Sequence, residues 1–299
     1  MNEPRLPNFA IVGAQKSAST FIQDALRAHR DVYMPSGETR FFEDPEYGEG
    51  NINELSSLFS GRQEPLLGIK RPDYLGREEV PARMRRAIPA IKIIVVLRNP
   101  IDRLVSAYYY YIKLGILPVL DINEVIPRML RGETIGGPKA RDLLGYGNYA
   151  THLRRYFSCF PREQILILLQ EDIAAGPRQV VLNTCKFLGA DADALGVCPA
   201  AANEGVYSLT RLRFLTKRNR YLYDYDEVSG KLSKQKMTVG KLLPAATITV
   251  IDRYLLARTV GNRKPILRDP VKTMLADFYR DEIKGAQQIL GRSLQGWSA

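Results

Sequence analysis

Histidine, cysteine and tryptophan are scarce in this chain of 299 residues: two, three and one. With His29 and His152 the only imidazoles and no closely spaced cysteine pair, a zinc site has almost nothing to draw on, and no protein-held metal is expected. Cys159, Cys185 and Cys198 are too few and odd in number for a disulfide framework. Each is expected as a small buried hydrophobe in a reducing compartment, which points to a cytoplasmic location. Long apolar runs are missing as well. The longest, Ile91 to Leu97, already contains Lys92, and Phe9 to Val12 is too short for a signal-peptide core, so neither a leader nor a membrane span is expected. Acids are in deficit: 32 Asp and Glu face 43 Lys and Arg, leaving a net charge of +11 that favours partners carrying negative charge.

What is present is ordinary globular composition, 45% hydrophobic and 25% charged, which excludes a disordered or fibrous chain. No Ser/Gly-rich linker or internal repeat interrupts residues 1–299, so a single domain is the simplest expectation. Four segments read as buried strands, Phe9–Val12, Leu66–Ile69, Ile91–Leu97 and Ile165–Leu169, each nearly continuous in Ile, Val and Leu. Helical patterns lie between them, with Ser19–Ala28, Asp102–Ile112 and Gln179–Leu188 the clearest. Their alternation predicts an α/β fold, a parallel sheet flanked by helices, with ligands at the carboxyl ends of the strands. The charge is concentrated in residues 207–272, where 15 basic residues stand against five acids and account for ten of the eleven net charges. Solvated helix faces and a surface for a polyanionic or phosphorylated partner both fit this segment. Its portion 224–240, with Gly230, Ser233 and Gly240, reads as a mobile loop or lid.

Directly after the first strand comes Gly13-Ala14-Gln15-Lys16-Ser17-Ala18-Ser19-Thr20, and then a helical pattern. A small-residue turn between strand and helix aims backbone N–H groups and the helix's positive end at one point, as phosphate sites require. Lys16 adds a mobile charge, and Ser17, Ser19 and Thr20 add hydroxyls. The spacing is not that of the ATP-binding loop, because Lys16 lies three residues after Gly13 and follows Gln15 instead of a glycine. A small-molecule or nucleoside kinase is thereby disfavoured. The strand ending at Leu97 leads into Arg98-Asn99-Pro100, with Asn99 suited to a helix N-cap and Pro100 to the first helical position. Arg98 then sits at the strand's carboxyl edge. Ser106 lies two turns along the helix on the face of its start, where it and Arg98 could grip one phosphate. Arg103 has the same spacing but fits an internal ion pair equally well.

Gly13–Thr20 resembles the 5′-phosphosulfate-binding loop of sulfotransferases that use 3′-phosphoadenosine 5′-phosphosulfate (PAPS), and Arg98 through Ser106 resembles their 3′-phosphate-binding motif. The resemblance implies a P-loop-NTPase-like fold, with PAPS as donor and adenosine 3′,5′-bisphosphate (PAP) as product. It implies Gln15, Lys16, Ser17, Ala18, Ser19 and Thr20 at the donor's 5′ group and Arg98 and Ser106 at its 3′-phosphate. Glu38-Thr39-Arg40-Phe41-Phe42 resembles a segment of heparan sulfate sulfotransferases in which the Glu is the catalytic base. Glu38 takes that role by implication, and the two aromatics are expected to wall it in and raise its pKa. Lys70-Arg71-Pro72-Asp73-Tyr74 resembles a further segment of the same enzymes, which implies Lys70 near the reacting sulfate, although Arg71 replaces a smaller residue. Gly261-Asn262-Arg263-Lys264-Pro265 precedes the last helical pattern, Pro270–Leu290, much as a nucleotide-covering loop does in the animal enzymes. That implies a nucleotide contact for Arg263. The expected acceptor is a small molecule or an oligosaccharide, acidic if the basic segment holds it. Without a stacking motif or a nucleic-acid module, a nucleic-acid partner is not expected, and a non-catalytic polyanion binder remains the rival.

Overall fold

A computed structural model describes residues 5–191, 194, 196, 205–226 and 232–297. The described chain divides into two compact units that interleave along the sequence. The first draws on residues 1–99, 148–202 and 282–294, and the second on 100–147, 203–281 and 295–299.

The first unit carries a five-stranded sheet: β1 (Phe9–Gly13), β2 (Val32–Tyr33), β3 (Leu66–Lys70), β4 (Lys92–Leu97) and β5 (Ile165–Leu169), in the order β2-β3-β1-β4-β5. Every pairing is parallel. The α/β expectation holds, and the four predicted strands are β1, β3, β4 and β5 to within a residue or two. Two-residue β2 escaped notice because it is too short to show a period. Phe9, Ile11, Ile94 and Val96 are fully buried and pack with Ile22, Leu26, Val181 and Cys185 of the flanking helices. Burial on both faces is why these strands carry no alternation of polar residues. Phe9 pairs with Gly68 across β1 and β3, and a Cβ on Gly68 would fall 2.2 Å from the Phe9 ring, so only glycine lets that ring lie over the neighbouring strand. Of the cysteines, Cys185 sits in this core and Cys159 is half-buried, while Cys198 lies outside the described residues.

The second unit is mainly helical. Its helix Pro100–Leu114 starts at the proline that the sequence places first. Its last turn is tied to the helix Leu209–Leu222, where the Thr216 hydroxyl donates to the Ile112 carbonyl at 2.7 Å and the Asn219 amide donates to that of Lys113 at 2.5 Å. These bonds satisfy carbonyls that every helix end leaves open. The segment expected as a loop is partly a sheet: β6 (Tyr223–Tyr225) and β7 (Leu232–Lys234) pair antiparallel, with Asp224 opposite Ser233. The β-favouring Tyr-Asp-Tyr stretch and the backbone's need for partners outweigh the polar composition that suggested a loop. Residues 227–231 of the connection between the two strands, Glu227 and Gly230 among them, lie outside the described residues. The helix Val239–Val250 follows and continues through a π-helical turn, Ile251–Leu256, to Thr259.

Candidate active site

β1 ends in a turn whose conformation is unusual for its residues. Lys16 and Ala18 both have positive φ, 65° and 69°, in the left-handed region that side chains with a Cβ adopt at a cost of about 1–2 kcal/mol each. Such turns point successive N–H groups into one concavity, the geometry of anion nests. Ser17, between them, is fully buried, and its hydroxyl has no hydrogen-bond partner among the described residues. The helix Ser19–Arg27 opens directly on this turn. Ala18 occupies its N-cap, no side chain caps it, and its first turn holds no acid, so its positive end is left for a ligand. Gly13 is required at the base of the turn, since a Cβ there would fall 2.5 Å from that of Leu75 and 2.9 Å from the Pro72 carbonyl oxygen.

Arg98, at the carboxyl end of β4, donates from one terminal nitrogen to the Lys16 carbonyl at 3.2 Å. Its Nε is buried and has no partner among the described residues. The guanidinium thus stands at the turn with hydrogen-bonding capacity in reserve. Gln15, also expected at a ligand, donates its side-chain amide to Asp73 at 3.2 Å.

At the end of β3, Lys70 is buried. Its Nζ donates to the Thr20 hydroxyl at 2.9 Å and lies 4.0 Å from the Glu38 carboxylate. Burial holds the Lys70 ammonium below the ordinary lysine value, against the opposing pull of Glu38 and Asp24. Arg71, the next residue, is the hub of a network that the sequence did not reveal. Its guanidinium grips Glu43 through two bonds of 2.7 and 2.9 Å, reaches Glu38 at 2.6 Å and pairs with Asp73 at 3.1 Å. These carboxylates outweigh its desolvation and hold the guanidinium firmly charged. The expected aromatic wall around Glu38 is corrected here. Phe41 and Phe42 are buried against each other, Tyr47 and Tyr74, and Glu38, 41% exposed, has two cations as neighbours instead of an apolar wall. Tyr74 fixes the segment, as its hydroxyl donates to the Thr39 carbonyl and accepts from the Phe42 N–H at 3.2 Å. The signal for the network was the alternation Arg71-Pro72-Asp73, with Glu43 five residues beyond Glu38.

Lys16, Ser17, Thr20, Glu38, Lys70 and Arg98 therefore all belong to the first unit, where Arg98 is bonded to the Lys16 carbonyl and Lys70 to Thr20 beside Glu38. Ser106 and Arg263 belong to the second. Ser106 is buried on the helix Pro100–Leu114, and Arg263 is exposed. Arg103 makes no ion pair among the described residues. It is fully buried and donates to the Leu143 carbonyl at the end of the helix Pro138–Gly145, where a cation suits the helix dipole. Beside Arg263, Lys264 is the residue that engages the helix Pro100–Leu114, through Asp102. In the basic segment, Arg211 is bound at both carboxylate oxygens by Asp252 and Arg218 is turned onto Asn219, which leaves Arg213, Lys217 and Arg220 as the exposed basic face of that helix.

The model of the sulfotransferase domain matches residues 81–241, more than half of the chain. The chain belongs to the sulfotransferase domain family. The matched stretch contains Arg98 and Ser106 and begins after the Lys16 turn and Glu38. Among whole proteins, the family member resembles the bifunctional heparan sulfate N-deacetylase/N-sulfotransferase 2 of Bos taurus, 34% identical over 198 residues, which cover 62% of this chain and 22% of that protein. It also resembles the heparan sulfate glucosamine 3-O-sulfotransferase 3A1 of Mus musculus, 25% identical across 98% of this chain and 65% of that enzyme. The chain thus spans about a fifth of the bifunctional relative and just under two thirds of the other. Among solved structures, a sulfotransferase from Alicyclobacillus acidocaldarius shares the fold, with a TM-score of 0.66 at 23% identity over 99% of this chain and 100% of that one.

Proposed function

We propose that this family member transfers a sulfuryl group from PAPS to a hydroxyl or amine of a carbohydrate. The observation that carries the reading is the left-handed turn at Lys16 and Ala18, which gathers the Ser17 hydroxyl, buried and without a partner among the described residues, an uncapped helix end and the Arg98 guanidinium into one anion cradle. That donor set fits an anionic group of an adenosine nucleotide, and the resemblance of the Arg98 motif assigns the second, 3′ group. In the transfer, the acceptor oxygen or nitrogen bonds to sulfur while the bond from sulfur to the 5′-phosphate oxygen breaks. Glu38 takes the acceptor's proton, Lys16 meets the charge growing on the departing oxygen, and Lys70 orients the sulfuryl oxygens. Arg98 is assigned to the 3′-phosphate, and Ser106 and Arg263 join that assignment through the resemblance of their motifs alone. The carbohydrate acceptor follows from the named activities of the two relatives, and the exposed Arg213, Lys217 and Arg220 suit an acidic one.

Two experiments test this reading. With 35S-labelled PAPS, label should pass to N-desulfated or O-desulfated heparan sulfate well above its passage to phenols or simple alcohols. Labelling of phenols alone would move the acceptor out of the carbohydrates. Secondly, if the Lys70 charge is needed, activity should fall on the alkaline side at a pH below the ordinary lysine value of 10.5, because its lowered pKa lets it lose its proton early. Lys70→Arg keeps the charge throughout and should move that limb to higher pH, whereas an unmoved limb would assign it to another group.

A further inference from the structure

The helix Val239–Val250 carries apolar side chains on its outer face. Val239, Leu242, Leu243 and Val250 are 72%, 53%, 63% and 55% exposed, and their spacing places them on one side. The opposite side is the docked one: Ala245 and Asp252 are buried, and Asp252 is locked by Arg211 onto the helix Leu209–Leu222. Through the π-helical turn the exposed stripe continues to Tyr254 and Leu255, each 57% exposed. A contiguous stripe of this kind on a packed helix marks a surface that something covers.

The charge around it says what. From Lys234 to Lys264 the chain has seven Lys and Arg and a single acid, Asp252, which is buried and paired. Tyr254 lies between Arg253 and Arg258, whose guanidinium carbons are 5.8 and 5.9 Å from its ring centroid. We propose that this face, from Val239 to Tyr254, seats on the surface of an anionic lipid bilayer. Leucines enter the boundary between headgroups and acyl chains, while the flanking arginines meet lipid phosphates, with Tyr254 at the headgroup level. Among the described residues no helix is long and apolar enough to cross a membrane, and the side of this one that carries Asp252 is docked on the protein. A second copy is a poor occupant, because a two-fold contact would set the same basic flank against itself. The proposal is independent of the transfer reaction and survives its failure.

The test uses the full chain with sedimented vesicles of phosphatidylcholine alone or mixed equally with phosphatidylglycerol. Wild type should partition onto the mixed vesicles, much less onto the neutral ones, and less as salt rises. Leu242→Asn with Leu243→Asn should weaken partition by about tenfold or more. Arg253→Gln and Arg258→Gln should cost about fivefold each. All four positions are exposed, so an unchanged melting temperature separates these losses from misfolding. Leu243→Trp gives a second readout beside the buried Trp297, and its emission should shift to the blue on mixed vesicles. Absence of partition, equal partition onto both vesicle types, or a dimer that the double Leu variant dissociates in place of vesicle binding would each overturn the proposal.

Discussion

Adenosine 3′,5′-bisphosphate should raise the melting temperature of this chain by about 5–10 °C, while ATP with magnesium leaves it nearly unchanged. A ligand at a hundred times its Kd stabilises by about 2.7 kcal/mol, and each kcal/mol moves a domain of this size by about 2–4 °C. The asymmetry between the two nucleotides comes from Arg98. Its Nε is buried without a partner among the described residues and its other bond goes to the Lys16 carbonyl, so a 3′-phosphate completes a guanidinium that ATP leaves incomplete. Charge-assisted hydrogen bonds of this kind contribute about 1.5–3 kcal/mol. Arg98→Ala should therefore weaken the bisphosphate by about 10- to 150-fold and erase most of the difference in melting shift. Scanning fluorimetry of the two proteins with both nucleotides measures this directly. Equal stabilisation of wild type by ATP would overturn the donor assignment and restore the kinase reading.

Much of the fold was legible because parallel strands buried on both faces write themselves as unbroken Ile, Val and Leu. β4 and β5 could be bounded from composition alone. The anion turn was legible in its location and hidden in its conformation. Left-handed backbone is normally signalled by glycine, and here Lys16 and Ala18 adopt it without that mark, constrained by a turn packed over Pro72 and Leu75. The Arg71 network was hidden for a different reason. Glu38 and Glu43 lie on the segment after β2, and the pairing of β2 with β3, together with the Thr39 N–H bond to the Lys70 carbonyl, brings them to Arg71, which Asp73 follows by two residues. The exposed stripe on Val239–Val250 defeats the usual inference outright. Apolar residues at helical spacing predict an inward face, and the buried Arg211–Asp252 pair fixes the helix the other way round.

Glu38→Gln should lower turnover by about 10²–10⁴-fold while donor binding and melting temperature barely change. The substitution keeps size and removes basicity, and the carboxylate it replaces is 41% exposed, so its ion pair with Arg71 stabilises the fold by less than about 1 kcal/mol. Glu43 makes the contrast, because its carboxylate holds the same guanidinium through two bonds and is almost fully buried. Arg71→Met removes the shared cation and takes from the buried Glu43 both of its bonds and from Asp73 its ion pair, a change that costs about 3–5 kcal/mol in comparable networks. That variant should melt well below wild type, by about 6–20 °C. The two substitutions thus read different properties of one cluster, chemistry at Glu38 and folding at Arg71, by initial rates at saturating donor and by thermal melts. If Glu38→Gln instead lowered the melting temperature as Arg71→Met does and left turnover within a few-fold of wild type, Glu38 would be a partner of Arg71 only. The acceptor's proton would then pass to another group.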